Sequence, residues 1–129
     1  MGRRNSSASC FYPTSEQASV DDIIAGLRQL VGRPHEYGLT ILGCTISPMG
    51  GNTSLPGFDT PAHEAARVAL NQWIRTSGVF DGVVDADLVL RDPSQPTRLL
   101  PAYDSGDHLH PNTEGGRAVA NAIDLKLLR

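Results

Sequence analysis

A chain of 129 residues, 40% hydrophobic and 19% charged, has the size and composition of one globular domain with a core of its own. Its formal net charge of −3 and its scattered arginines exclude the basic stripe that a phosphate backbone demands, so no nucleic-acid partner is expected. No apolar stretch approaches the ~18 residues of a membrane helix, so no membrane span is expected.

Residues 1–18 lack periodicity and include Pro13, and they read as an irregular or disordered leader ahead of a single domain over residues 19–129. The start Met1-Gly2-Arg3-Arg4-Asn5-Ser6 superficially matches a myristoylation pattern and a twin-arginine leader. No apolar h-region follows it, so the chain as written is expected to stay in the cytoplasm. The two cysteines, Cys10 and Cys44, can pair at most once. Cys44 lies in an apolar run and is expected to be a buried free thiol, which leaves the redox compartment open.

Ser19, with Asp22 three positions on, predicts a capped helix start, and Ile23, Ile24, Leu27, Leu30 and Val31 fall on one helical stripe. Gly32 and Pro34 are expected to end or kink that helix, with a turn at Gly38. The run from Leu39 to Ile46 is continuous, apolar and rich in β-formers, as in a parallel strand covered on both faces. Residues 47–59 form a Gly- and Pro-rich loop. Thr60 and Pro61 then open a second helix, with Ala66, Ala69, Leu70, Trp73 and Ile74 on its inner face and an end near Gly78. Val83 and Val84 begin a second short strand after an Asp81-Gly82 turn. Residues 91–106 read as a long loop, and Asn112 or Thr113 caps a last helix carrying Ala118, Val119, Ala122, Ile123 and Leu127. Gly115 and Gly116 weaken its first turn. The order is βαβ-like and implies a parallel α/β sheet, although two strands alone leave both sheet edges uncovered.

The chemistry-bearing stretch is Asp104-Ser105-Gly106-Asp107-His108-Leu109-His110-Pro111-Asn112. Asp107, three residues before His110, can accept a hydrogen bond from the imidazole Nδ1–H and leave Nε2 free to take a proton from a nucleophile. A polar loop leading into a capped helix is the plainer reading of an isolated Asp-x-x-His. A metal site built on Asp107, His108 and His110 lacks a fourth ligand, since His35 and His63 sit in helical or polar contexts. Neither a metal nor a cofactor is therefore expected.

The wider pattern joins Phe80-Asp81-Gly82-Val83-Val84-Asp85, Arg91-Asp92-Pro93 and Gly106-Asp107-His108-Leu109-His110-Pro111-Asn112. Together with Glu64-Ala65-Ala66-Arg67, Asn71-Gln72-Trp73-Ile74-Arg75 and the strand Ile41 to Pro48, it resembles the C-terminal part of bacterial GDSL/SGNH hydrolases, in collinear order over residues 19–129. The resemblance implies a three-layer α/β/α, flavodoxin-like fold with a truncated parallel sheet. It also implies an esterase- or lipase-type activity on small-molecule esters, with Asp107 and His110 as the acid and base of a Ser-His-Asp triad. In that family the serine comes from an N-terminal Gly-Asp-Ser segment, and a glycine and an asparagine complete the oxyanion hole.

No Gly-Asp-Ser occurs in the 129 residues. Tyr103-Asp104-Ser105-Gly106 has the wrong order, and Gly50-Gly51-Asn52-Thr53, which imitates Gly-x-Asn-Asp in three positions, follows the wrong strand. Two expectations follow: an ester hydrolase fragment that keeps His and Asp and lacks the serine segment, or an inactive remnant or docking subunit. The second would self-associate, or bind an N-terminal partner, through its uncovered sheet edge. An active chain of this kind would need Ser105 to reach His110, or a second chain to supply the nucleophile.

Overall fold

The computed structural model describes residues 18–128, so the leader expected over residues 1–18 lies outside the described residues except for Ala18, and Cys10 lies outside them too. Helix α1 spans Val20–Glu36. The Ser19 hydroxyl accepts from the Asp22 N–H, and the Asp22 carboxylate accepts from the Ser19 N–H, so two otherwise orphaned donors are satisfied reciprocally. The helix runs through Gly32 and Pro34 and ends shortly after them, at Glu36. Within the last turn Pro34 forfeits a single N–H, and its carbonyl accepts from Tyr37 and Leu39 to close the helix end. Of the apolar stripe only Val31 is buried, and Leu30 is 64% exposed.

Strand β1 is Leu42–Cys44, much shorter than the run from Leu39 to Ile46 suggested. Leu39 and Cys44 are exposed, which corrects both the strand covered on two faces and the buried thiol. Hydrophobicity marked the strand, but within it only Gly43 is buried and Leu42 is half-buried. Gly43 is buried because the Phe80 ring lies 2.6 Å from where a Cβ would stand.

Helix α2, Pro61–Thr76, starts at the Thr60 cap and ends before Gly78, as the sequence predicts. Leu70 and Ile74 are buried, whereas Ala69 is exposed and Trp73 is half-buried against Phe80 and Arg28. The inner face is instead shared with Arg67 and Asn71, both buried. Asn71 accepts from the Ile46 N–H (2.7 Å) and donates to the Ile46 carbonyl (2.8 Å), so one amide side chain replaces a strand neighbour. Arg67 donates to the same carbonyl and to Asp87, and Glu64 grips the other side of its guanidinium.

Strand β2, Gly82–Val84, pairs in parallel with β1 in the register Leu42 with Gly82 through Cys44 with Val84. The segment that follows holds more structure than a loop. Helix α3 occupies Ala86–Leu90, strands β3 (Arg91–Asp92) and β4 (Gln95–Leu99) form an antiparallel hairpin, and a 3-10 turn spans Pro101–Tyr103. Asp92 accepts from the Ser94 backbone and hydroxyl, which sets the tight turn at Pro93-Ser94. Pro96 is tolerated because β4 is an edge strand. Helix α4 is Thr113–Asn121, capped by Asn112, and it gives way to a 3-10 turn at Leu125–Leu128 where the sequence suggested a longer helix. Ala86, Leu90 and Leu99 form a core that Val89, Tyr103 and Val119 close. The result is a mixed α/β unit around a small parallel sheet.

Candidate active site

The loop between the Pro101–Tyr103 turn and α4 is a closed ring of backbone bonds. Asp104 bridges to Pro111, the Ser105 N–H donates to the His110 carbonyl (3.0 Å), and the Asn112 N–H donates to the Tyr103 carbonyl (2.7 Å). Gly115 completes the ring's seat. A Cβ there would stand 2.9 Å from the Pro111 side chain and from the Tyr103 carbonyl, so α4 can pack on the loop only through a glycine.

Inside this frame Asp107 and His110 meet. The His110 Nδ1 lies 2.6 Å from Asp107 Oδ2, and the imidazole is 68% exposed, leaving Nε2 open to a reactant. The backbone N–H groups of Leu109 and His110 donate to Asp107 Oδ1, as does the Ser105 hydroxyl. With the His110 imidazole and these N–H donors around it, the Asp107 carboxyl is held far below the usual carboxylate range. The carboxylate is thus placed to accept from the imidazole Nδ1.

Two contributors from the loop after β1 were not legible in the sequence. The Ser54 hydroxyl donates to Asp107 Oδ2 (2.9 Å), and the Thr53 N–H donates to the Asp107 carbonyl (3.0 Å). Asn52 shapes that loop by donating to the Met49 carbonyl and accepting from the Leu55 N–H. Gly50-Gly51-Asn52-Thr53 thus belongs to the structure that clasps the Asp107 loop. A separation of 53 residues leaves no local pattern that could have revealed the Ser54–Asp107 bond. Ser105 has its hydroxyl on Asp107 Oδ1 (3.0 Å), so in this arrangement it serves the aspartate and not the His110 imidazole.

His108 is separated from this pair. Its Nδ1 bonds Asp104, not Asp107, and its φ of 59° places it in the left-handed region. The three residues weighed as metal ligands are thereby divided between two carboxylates, and no group of three His, Cys, Asp or Glu among the described residues could hold a metal ion. No described helix is long and apolar enough to cross a membrane.

Comparison with known proteins agrees with this architecture. No curated protein matches the chain. A solved structure from Bacteroides fragilis, provisionally named an acylhydrolase, superimposes with a TM-score of 0.67 at 21% sequence identity, covering 88% of this chain and 54% of that one. The chain therefore spans about half the length of the structure it matches, and the likeness establishes a shared acylhydrolase-type fold over that part. The GDSL-like Lipase/Acylhydrolase family matches residues 3–118, nearly the whole sequence. On that match, the chain belongs to the GDSL-like lipase/acylhydrolase family of ester hydrolases.

Proposed function

We propose that Asp107 and His110 are the acid and base of a Ser-His-Asp ester hydrolase, with His110 Nε2 taking the proton of a serine hydroxyl as that oxygen attacks an ester carbonyl. The observation that carries this reading is the 2.6 Å contact from Asp107 Oδ2 to His110 Nδ1 beneath an exposed imidazole. The imidazolium formed on proton transfer would sit beside a carboxylate held ionised, and the same proton would then pass to the departing alcohol. Hydrolysis of the acyl-enzyme by water would repeat the cycle in reverse. Because no Gly-Asp-Ser occurs in the 129 residues, the serine of this reaction comes from another segment or a second chain.

The test is hydrolysis of a short-chain p-nitrophenyl ester by the purified chain, beside His110→Ala and Ser105→Ala. His110→Ala is expected to lower the rate to the buffer background, a loss of at least about 100-fold for a general base. Ser105→Ala is expected to retain most of the activity. A rate indifferent to His110→Ala would remove His110 from the reaction.

A second reading is favoured by the outer edge of β1, which has no strand partner among the described residues. Beside it lies a largely apolar cleft of about 430 Å³ between α1 and α2. In this reading the chain docks there on a nucleophile-bearing partner or a second copy, and the chain alone has no hydrolysis to lose.

A further inference from the structure

The cleft that His108 lines takes no part in the pairing of Asp107 with His110. It has a volume of about 320 Å³ and is bordered by Gly50, Asp92, Gln95, Arg98, Asp104 and His108, among others. Three features of it ask for a ligand. The exposed Arg98 guanidinium forms no hydrogen bond or ion pair among the described residues, and its carbon lies 3.3 Å from where a Gly51 Cβ would stand. A side chain at position 51 would therefore displace it. Next, His108 is held in the left-handed region at φ 59°, a conformation that costs a non-glycine residue energy and persists only where the surroundings enforce it. The enforcing contacts are its own N–H and Nδ1 on Asp104. They leave Nε2 without a partner among the described residues, on an imidazole that is 45% exposed.

The third feature is which polar groups of the cleft are already engaged. Two carboxylates border the cleft, and both are engaged. Asp104 is 11% exposed and takes the N–H groups of Gly106 and His108 and the His108 ring. Although burial pushes its carboxyl up, those donors outweigh it and hold the group below the usual range. Asp92 is turned to Ser94. Arg98 and His108 border this cleft with donors that no described residue takes up, and Gln95 lines it too. A planar guanidinium matches the oxygens of a carboxylate or a phosphate by paired N–H donors.

The geometry points to an oxyanion-binding cleft in which Arg98 and His108 together hold a carboxylate or phosphate group. Such a group would be carried by an acidic ester substrate or released as the acid product. The site does not depend on the hydrolytic reading, since binding is measured without turnover.

The experiment is an NMR titration of the whole chain, following the His108 ring and the Arg98 Nε–H, with inorganic phosphate in one arm and acetate in the other. Saturable shifts at both residues are expected, with a Kd of about 1 mM, ordinary for so small a ligand. Saturation by phosphate alone would assign a phosphoryl ligand, and by acetate alone a carboxylate. Arg98→Gln should weaken binding at least about tenfold, the loss of a charge-assisted pair. His108→Gly should do the same, and glycine adopts the left-handed backbone freely, so the loop keeps its shape. His110→Ala should leave the affinity unchanged. Shifts that fail to saturate with either anion, or that survive Arg98→Gln undiminished, would overturn the proposal.

Discussion

At the scale of single residues the molecule is organised by carboxylates held ionised. Asp85 stands at the carboxyl end of β2, caps α3 by accepting from the Leu88 N–H, and takes two bonds from Arg75 and one from the Thr45 hydroxyl. The Arg75 guanidinium, chiefly, lowers its carboxyl to about 2, against the partial burial that opposes ionisation. A folded-state value below the unfolded one means the contribution is complete above about pH 4 and is lost as pH falls through about 2. Asp85→Asn should therefore lower the melting temperature at pH 6, and the gap to the parent chain should shrink steadily from about pH 4 downward. Melting curves of both proteins across that range check it. A gap that is constant with pH would show that Asp85 does not titrate on unfolding. Asp107, whose carboxyl is also lowered, follows the same sign.

At the scale of elements, two adjacent glycines in α4 have opposite reasons for being there. Gly115 is wedged against Pro111 and Tyr103, whereas a Cβ at Gly116 would meet nothing within 4 Å. Gly115→Ala should destabilise by about 1–3 kcal/mol through overpacking and should disturb the Asp107–His110 loop. Gly116→Ala should stabilise by about 0.5–1 kcal/mol, the helix preference of alanine over glycine. Urea denaturation of the two variants decides the matter, and equal effects would show that Gly115 is not a packing glycine. Both residues read alike as helix-weakening in the sequence, since propensity is local and the neighbour of Gly115 is a loop.

The hairpin of β3 and β4 was hidden for a related reason. Pro93 and Pro96 signal a loop in any short window, and only an edge position makes Pro96 acceptable in a strand. The buried face of α2 was likewise misjudged at Arg67 and Asn71. Their burial depends on Ile46, Asp87 and Glu64 meeting them in space, where no buried side-chain nitrogen or oxygen among the described residues lacks a partner.

At the scale of the whole molecule the small parallel sheet is the deciding feature. Among the described residues this sheet has two strands, and the cleft beside β1 is lined by Ile23, Leu27, Met49, Phe58 and Leu70, among others. Leu30 and Leu39 are also exposed. Apolar surface of this extent, next to a strand edge that has no partner among the described residues, is expected to associate. The chain should enhance anilinonaphthalene sulfonate fluorescence and sediment with a concentration-dependent mass. A monodisperse monomer without dye response would mean that this face is satisfied within the chain.

The sequence by itself determined the parts whose causes are local. The Ser19 and Thr60 caps, the Asn112 cap, the helical stripes, the apolar centre of β1 and the spacing of Asp107 and His110 all arise within a few residues of chain, where hydrogen-bond reach and periodicity operate. Only the tertiary structure decided which of those surfaces are covered and what stands beside the acid–base pair. Burial at Gly43 and Asn71 and the clasp of Ser54 on Asp107 depend on groups 25 to 53 residues away. Contacts of that range obey the packing of the whole chain and leave no periodicity in the sequence to read.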